Sequence, residues 1–83
     1  DEELYTRTLR AGRVNLISTS EIKEPMRVGV KIRHRHAPAA GVLESAGTDE
    51  VLVTFDEPQR AVTPGQAAVF YDRDVVVGGG WIV

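Results

Sequence analysis

The chain has 83 residues, of which 42% are apolar and 27% charged, and its formal net charge at pH 7 is −2. This length predicts a single domain with one modest core. There is no cysteine, which excludes disulfides, thiolate metal sites and a sulfur-carrying nucleophile within these residues. The slightly acidic balance excludes a uniformly basic RNA-binding module, so any contact with nucleic acid has to rest on a local patch.

The N-terminus is acidic and has none of the features of a signal peptide. It begins Asp1-Glu2-Glu3, without a methionine, a basic region or an apolar stretch. No apolar run approaches the ~20 residues that a membrane-spanning helix needs. We therefore expect a domain excised from a larger protein, with no membrane segment.

Short strand patterns begin at the N-terminus. Residues 4–10 are rich in threonine and predict a first strand, the pair Ala11-Gly12 signals a turn, and residues 14–18 predict a second strand. From residue 26 the chain alternates with period 2, which is typical of a half-buried strand. One predicted face carries Met26, Val28, Val30 and Ile32, and the other carries Arg27, Gly29, Lys31, Arg33 and Arg35.

The middle of the chain predicts a hairpin followed by a loop. A weak strand at residues 41–45 is joined by polar turn residues 46–49 to a stronger strand at 51–55. In that second arm the alternation places Val51, Val53 and Phe55 on a shared face. The polar stretch 56–62 is predicted to be a loop.

The last third contains two tight turns and a run of glycines. Pro64 and Gly65 suit the two central positions of a type II turn. Strands are predicted at residues 67–71 and 75–77, joined by the polar turn 72–74. The three glycines at 78–80 indicate a close approach of backbone or a bend before residues 81–83.

These elements predict an all-β fold, a small closed or nearly closed antiparallel β-barrel of about six to seven short strands. No segment has the 3.6-residue periodicity of an amphipathic helix. A barrel is favoured over a sandwich because closure removes the exposed strand edges that a domain of this size cannot cover. The domain is expected to span residues 1–83.

A basic stripe on the predicted third strand is the strongest candidate site. Lys31, Arg33 and Arg35 recur at every second residue, which spaces them about 6.5–7 Å apart on one face. That spacing is similar to the separation of successive phosphates, so the stripe is a candidate RNA contact that adds affinity without reading sequence. The alternative is a solvated face that protects a strand edge and keeps the protein soluble.

Other residue clusters give no catalytic, metal or cofactor site. His34 and His36 supply two imidazoles without a third ligand, and their neighbours are cationic. The glycine run lacks the spacing of a phosphate loop and no helix follows it. The paired carboxylates fall in predicted turns and loops, where turn formation and solubility explain them. The few aromatic residues are expected to fill the core or an interface, although Tyr71 or Trp81 could stack on a base.

Long segments of the chain resemble the C-terminal domain of the bacterial tRNA-specific 2-thiouridylases. The resemblance covers nearly the whole chain, and its most specific part is AVTPGQAAVFY at residues 61–71 with GGGWI at 78–82. The segments KIRHR at 31–35 and VNLI at 14–17 add to it. Three positions depart from the usual family pattern: Leu16 replaces tryptophan, His34 replaces tyrosine, and Arg73 replaces a turn glycine.

The resemblance implies a role in tRNA modification. Whole enzymes of this family are cytoplasmic sulfurtransferases, some of which an older nomenclature calls methyltransferases. They activate the wobble uridine with ATP. Sulfur, delivered by a sulfur-carrier protein, is then transferred from a persulfide on a catalytic cysteine. Their phosphate loop and cysteines lie upstream of the barrel. The resemblance thus implies that this chain holds no catalytic, cofactor-binding or metal-binding residue and is inactive alone. It implies an accessory domain that packs on the upstream catalytic domains and helps to hold tRNA.

Two alternatives remain at this point. One is a purely structural barrel whose stripe faces solvent. The other is an unrelated small barrel of the translation-factor type that binds RNA or protein. Because a fold alone does not determine function, the tRNA-holding hypothesis and both alternatives stay open.

Overall fold

A computed structural model describes residues 5–32, 37–60 and 62–83. Six antiparallel strands form a closed barrel in which the strand order is β1-β4-β3-β2-β5-β6. Their bounds are β1 Tyr5–Leu16, β2 Met26–Lys31, β3 Ala39–Gly47, β4 Glu50–Arg60, β5 Ala67–Asp72 and β6 Val75–Ile82. The predicted all-β barrel is therefore confirmed. None of the described residues forms a helix long and apolar enough to cross a bilayer.

The period-2 pattern places the core inside the barrel. In β2 the residues Val28 and Val30 are buried, and in β4 the alternate residues Val51, Val53 and Phe55 are buried, as the alternation predicts. Every buried side chain described is apolar. The core consists of Leu9, Ala11, Val28, Val30, Leu43, Val51, Val53, Phe55, Ala68, Phe70, Val77 and Ile82.

The predicted turns lie where the sequence places them. Gly65 has φ 93°, and the backbone N–H of Gln66 donates to the carbonyl of Thr63 at 3.3 Å, as a type II turn requires. The β3–β4 hairpin turns through Gly47 and Asp49, both at positive φ. In the β5–β6 hairpin Arg73 has φ 58°, so a residue with a side chain occupies a conformation that glycine adopts more easily.

The prediction of two N-terminal strands separated by a turn was wrong. A single strand, β1, runs through Ala11 and Gly12, pairing with β4 along one edge and with β6 along the other. The interruption in register lies between Gly12 and Asn15, where Arg13 has φ 51°. The turn signal therefore marks a bulge, which bends a strand without ending it.

The prediction of a loop at residues 56–62 was also wrong over most of its length. β4 continues to Arg60, because its polar end pairs with the start of β1. In this register Tyr5 lies opposite Arg60 and Thr6 opposite Gln59. Exposed side chains leave no apolar alternation here, and backbone pairing with β1 maintains the strand. Arg7 of β1 adds a hydrogen bond, in which its Nη1 donates to the carbonyl of Asp56 at 3.2 Å.

The glycine run lies inside β6 and allows close contact with β1. A Cβ at Gly78 would lie 2.6 Å from the carbonyl oxygen of Asn15, and one at Gly80 would lie 2.9 Å from that of Gly12. Both distances are shorter than a carbon–oxygen contact tolerates. The predicted close approach of backbone is confirmed. The prediction that the strand ends at residue 77 was wrong, because β6 continues to Ile82.

Candidate nucleic-acid interface

Lys31 is the one residue of the predicted stripe that lies in the described part of the chain. Because Val28 and Val30 face the core, the alternation directs Lys31 to the outer surface at the end of β2. Its side chain has no ion pair or hydrogen bond among the described residues. Arg33 and Arg35, the other two stripe residues, and His34 and His36 lie outside the described residues.

Two neighbouring cations have carboxylate partners. Arg27, which shares the outer face of β2 with Lys31, pairs with Asp56 of β4. Arg10 of β1 pairs with Glu50 of β4 at 3.2 Å. Both pairs are exposed, so each adds little stability, but each offsets a positive charge. On the outer surface of β2, the cation available to an anionic ligand in the described residues is therefore Lys31.

Lys31 begins a row of outward-facing residues that crosses four strands. It lies opposite Val69 of β5, Val69 lies opposite Gly79 of β6, and Gly79 lies opposite Asn15 of β1. With neighbouring strands about 4.8 Å apart, the row is about 14 Å long. The basic end of β2 is thus continuous with the outer face of β5, β6 and β1.

That outer face contains an open groove of about 360 Å³. Gly79 contributes no side chain to it, and the half-exposed indole of Trp81 and the exposed side chain of Ile17 contribute to its lining. Arg13 is the single ionisable residue of the lining. The full lining is Arg13, Asn15, Ile17, Ala67, Ala68, Val69, Val76, Gly78, Gly79, Gly80 and Trp81.

Carboxylates line three further surface depressions formed by described residues. The depression beside Tyr5 includes Glu57 together with Arg7, and a second one beside the start of β3 includes both Asp56 and Glu57. A third, between β1 and the β3–β4 hairpin, includes Glu21, Asp49 and Glu50. Negative charge in the second and third depressions repels phosphate, and in the first Glu57 offsets the charge of Arg7, so an RNA contact fits the Lys31 end of the barrel better than these depressions.

The arrangement gives no acid–base pair and no metal centre in the part of the chain that the structure describes. Asp56 and Glu50 form ion pairs with arginines, and Asp72 and Asp74 flank the Arg73 turn. None of the described polar or charged side chains is buried. Within the same residues, no three His, Asp or Glu side chains are grouped so as to hold a metal ion.

The glycine run does not fit a nucleotide phosphate. Gly78, Gly79 and Gly80 are paired with β5 on one side, and the first two also with β1 on the other. Their backbone N–H groups are therefore not arranged as an anion-binding loop at a helix N-terminus.

Sequence reasoning missed the groove and the ion pairs. Both depend on which strands become neighbours, and residues 15, 69 and 79 are brought into one row only by barrel closure. The one available signal was the exposed side of the alternation, which places Val69 and Lys31 outward.

Comparison with known proteins identifies the domain. Residues 6–82 match the family model described as the aminomethyltransferase beta-barrel domain. The chain is 66% identical over 82 residues to the tRNA-specific 2-thiouridylase MnmA of Koribacter versatilis, covering 99% of this chain and 22% of that protein. It is 56% identical over 87 residues to the protein of the same name from Acidobacterium capsulatum, covering 100% of this chain and 23% of the relative.

A third relative of that name, from Acetivibrio thermocellus, is 50% identical over 82 residues, covering 99% of this chain and 23% of its own length. The chain thus spans less than a quarter of these relatives, and it matches their C-terminal part. The resemblance seen in the sequence is confirmed, and the chain belongs to the aminomethyltransferase beta-barrel domain family, as the barrel domain found in tRNA-specific 2-thiouridylases.

Proposed function

We propose that this barrel is the C-terminal accessory domain of an ATP-dependent tRNA 2-thiouridylase, in which it helps to hold the tRNA and packs on the catalytic domains. The observation that carries the proposal is the position of Lys31, outward at the end of β2 and without a carboxylate partner among the described residues. Arg33 and Arg35 follow it in the sequence with the same period. The names and identities of the relatives support tRNA as the partner.

The chemistry belongs to the rest of the enzyme. Sulfur transfer requires a thiolate, and these 83 residues contain no cysteine. The ATP site, the catalytic cysteines and the contact with a sulfur-carrier protein are therefore assigned to the upstream domains, and the wobble uridine reacts there, in the cytoplasm. The barrel contributes binding energy and position.

The charge pattern explains why the contribution is local. With a net charge of −2, the barrel as a whole does not attract RNA, and carboxylates line three of its surface depressions. A stripe of three cations contacts two or three phosphates of one strand and releases their counterions. Such contacts orient the tRNA without reading its sequence.

The salt dependence of tRNA binding tests this role. In the complete enzyme, replacing Lys31, Arg33 and Arg35 together with glutamine removes up to three phosphate contacts. The slope of log Kd against log salt is expected to decrease by about 2–3, with affinity at low salt reduced on the order of tenfold. Binding is measured by fluorescence anisotropy of labelled tRNA over a range of salt concentrations.

A matched control removes charge elsewhere on the surface. Lys23 lies in the exposed β1–β2 connection and Arg73 in the β5–β6 turn. Replacing both with glutamine is expected to leave the slope within about 0.5 of the wild-type value, because neither lies on the stripe. Equal slopes for the stripe variant and the wild type would overturn the tRNA-holding role.

A further inference from the structure

We propose that the groove on the outer face of β1, β5 and β6 is the docking surface for the catalytic body of the same polypeptide. This inference rests on the proposed function, because it takes the barrel to be one domain of a larger enzyme. It adds which face of the barrel contacts the catalytic body and which side chains make that contact. Trp81 and Ile17 are its principal contacts.

The lining of the groove has the character of an interface core. Trp81 is 49% exposed and Ile17 is 66% exposed, although both are large apolar side chains. Interface cores are enriched in tryptophan and depleted in charge, and Arg13 is the single ionisable lining residue. Exposed apolar residues that are scattered singly need no partner, but these share one groove with Val69 and Val76.

The shape of the groove suits protruding side chains. Gly79 has no side chain and Ala67 has a small one, so the surface is recessed beside the indole of Trp81. Its volume of about 360 Å³ exceeds the ~150 Å³ in which a benzene ring fits. One or two large apolar side chains of a partner can therefore be accommodated.

The rest of the chain is the occupant that the observations favour. The relatives extend far beyond this domain, which accounts for 22–23% of their length, so most of each protein is available to cover an apolar face. An RNA ligand fits the lining less well, because RNA-binding surfaces are polar and strongly basic. Arg13 alone supplies little attraction for phosphates.

The position of the groove also links docking to tRNA binding. Val69 lines the groove and lies directly opposite Lys31. A catalytic body docked in the groove therefore reaches β5, the strand next to β2 and its basic stripe. Lys31 then lies at the seam between barrel and body, where a bound tRNA contacts both.

Site-specific photo-crosslinking in the complete enzyme identifies the occupant. A benzophenone amino acid placed at position 17 reacts with whatever covers the groove. The control position is Thr54, an exposed residue of β4, which contributes no residue to the groove. We expect position 17 to crosslink to an upstream peptide of its own polypeptide, mapped by mass spectrometry, and position 54 to give at least tenfold less of that product.

Three outcomes would overturn the proposal. Crosslinking of position 17 to added tRNA would make the groove an RNA site. Crosslinking to a second copy, recognised with a mixture of isotopically labelled and unlabelled protein, would make it a dimer contact. The absence of any protein crosslink at position 17 would show that the groove faces solvent.

A second measurement uses a substitution that the barrel itself tolerates. Ile17→Asp places a charge in the groove at an exposed side chain, and Thr54→Asp, at an exposed residue of β4, is its control. In the complete enzyme without RNA, Ile17→Asp is expected to make the barrel unfold in a separate thermal transition and to increase proteolysis of the interdomain connection at least fivefold. Unfolding and proteolysis indistinguishable from those of Thr54→Asp would contradict docking.

These readouts separate the two proposals. Docking is measured without tRNA, and the tRNA-holding role is measured by the salt slope of the stripe variant. A normal crosslink at position 17 together with an unchanged slope would reject tRNA holding and retain docking. A decreased slope together with no crosslink at position 17 would reject docking and retain tRNA holding.

Discussion

Replacing Phe70 with alanine is expected to destabilise the barrel by about 3–5 kcal/mol, the usual cost of truncating a buried phenylalanine. Phe70 is fully buried at the centre of the core. It lies opposite Val30 on β2 and Gly78 on β6, so its ring fills space beside a glycine that contributes no side chain. Gly78 has no side chain that could fill the cavity left there.

Urea-induced unfolding of the 83-residue chain, followed by circular dichroism, measures this loss. A small domain has a total stability of about 5–15 kcal/mol, so the expected loss is a large fraction of the stability and lowers the urea midpoint strongly. The control is Tyr71→Ala, at the adjacent half-buried residue on the outer side of β5. A cost for Phe70→Ala no greater than that for Tyr71→Ala would contradict the assignment of Phe70 to the core.

Replacing Gly78 with alanine is expected to cost about 3 kcal/mol, although it adds a single methyl group. That methyl carbon would lie 2.6 Å from the carbonyl oxygen of Asn15 and 3.1 Å from the Cα of Leu16. Both neighbours are backbone atoms of β1, so relief of the clash requires that the two strands separate. The same urea experiment measures the effect.

Gly12→Ala is the matched control for this clash. A Cβ at Gly12 would lie 3.3 Å from a side-chain methyl of Val83, whose exposed side chain can rotate away. The expected cost is below about 1 kcal/mol. If Gly78→Ala were as stable as Gly12→Ala, the close contact between β6 and β1 would be wrong.

The sequence was informative wherever one face of a strand is apolar. In β2 and β4 the alternation of valines with polar residues predicted which side chains are buried, because period 2 follows directly from strand geometry. The turn at Pro64 and Gly65 was predictable for a similar reason, since those two residues carry the dihedral preferences that the turn needs. The buried strand faces and this turn depend on neighbouring residues in the sequence, so they could be predicted without knowing the strand order.

The errors arose where pairing with a distant strand decides the structure. The end of β4 is polar and has no alternation, and it remains a strand because Arg60 lies opposite Tyr5, far away in the sequence. In β1 the pair Ala11-Gly12 has the composition of a turn, yet Ala11 is fully buried and pairs with both Val51 and Ile82. Two neighbouring strands hold it extended.

The candidate site was predictable to a similar extent. The outward direction of Lys31 follows from the alternation of β2. That it has no carboxylate partner among the described residues, while Asp56 pairs with Arg27, becomes visible only in the folded barrel. The groove required knowledge of the strand order. Its lining residues Asn15, Val69 and Trp81 come from three strands that become neighbours only in the closed barrel.

Steady-state kinetics of tRNA thiolation tests the central claim, that the barrel holds tRNA and takes no part in the chemistry. The complete enzyme is compared with the variant in which Lys31, Arg33 and Arg35 are glutamine. The account predicts a KM for tRNA raised on the order of tenfold with kcat unchanged, since binding contacts outside the reacting centre are lost. A decrease in kcat with an unchanged KM would contradict it, because these side chains would then act on the reaction itself.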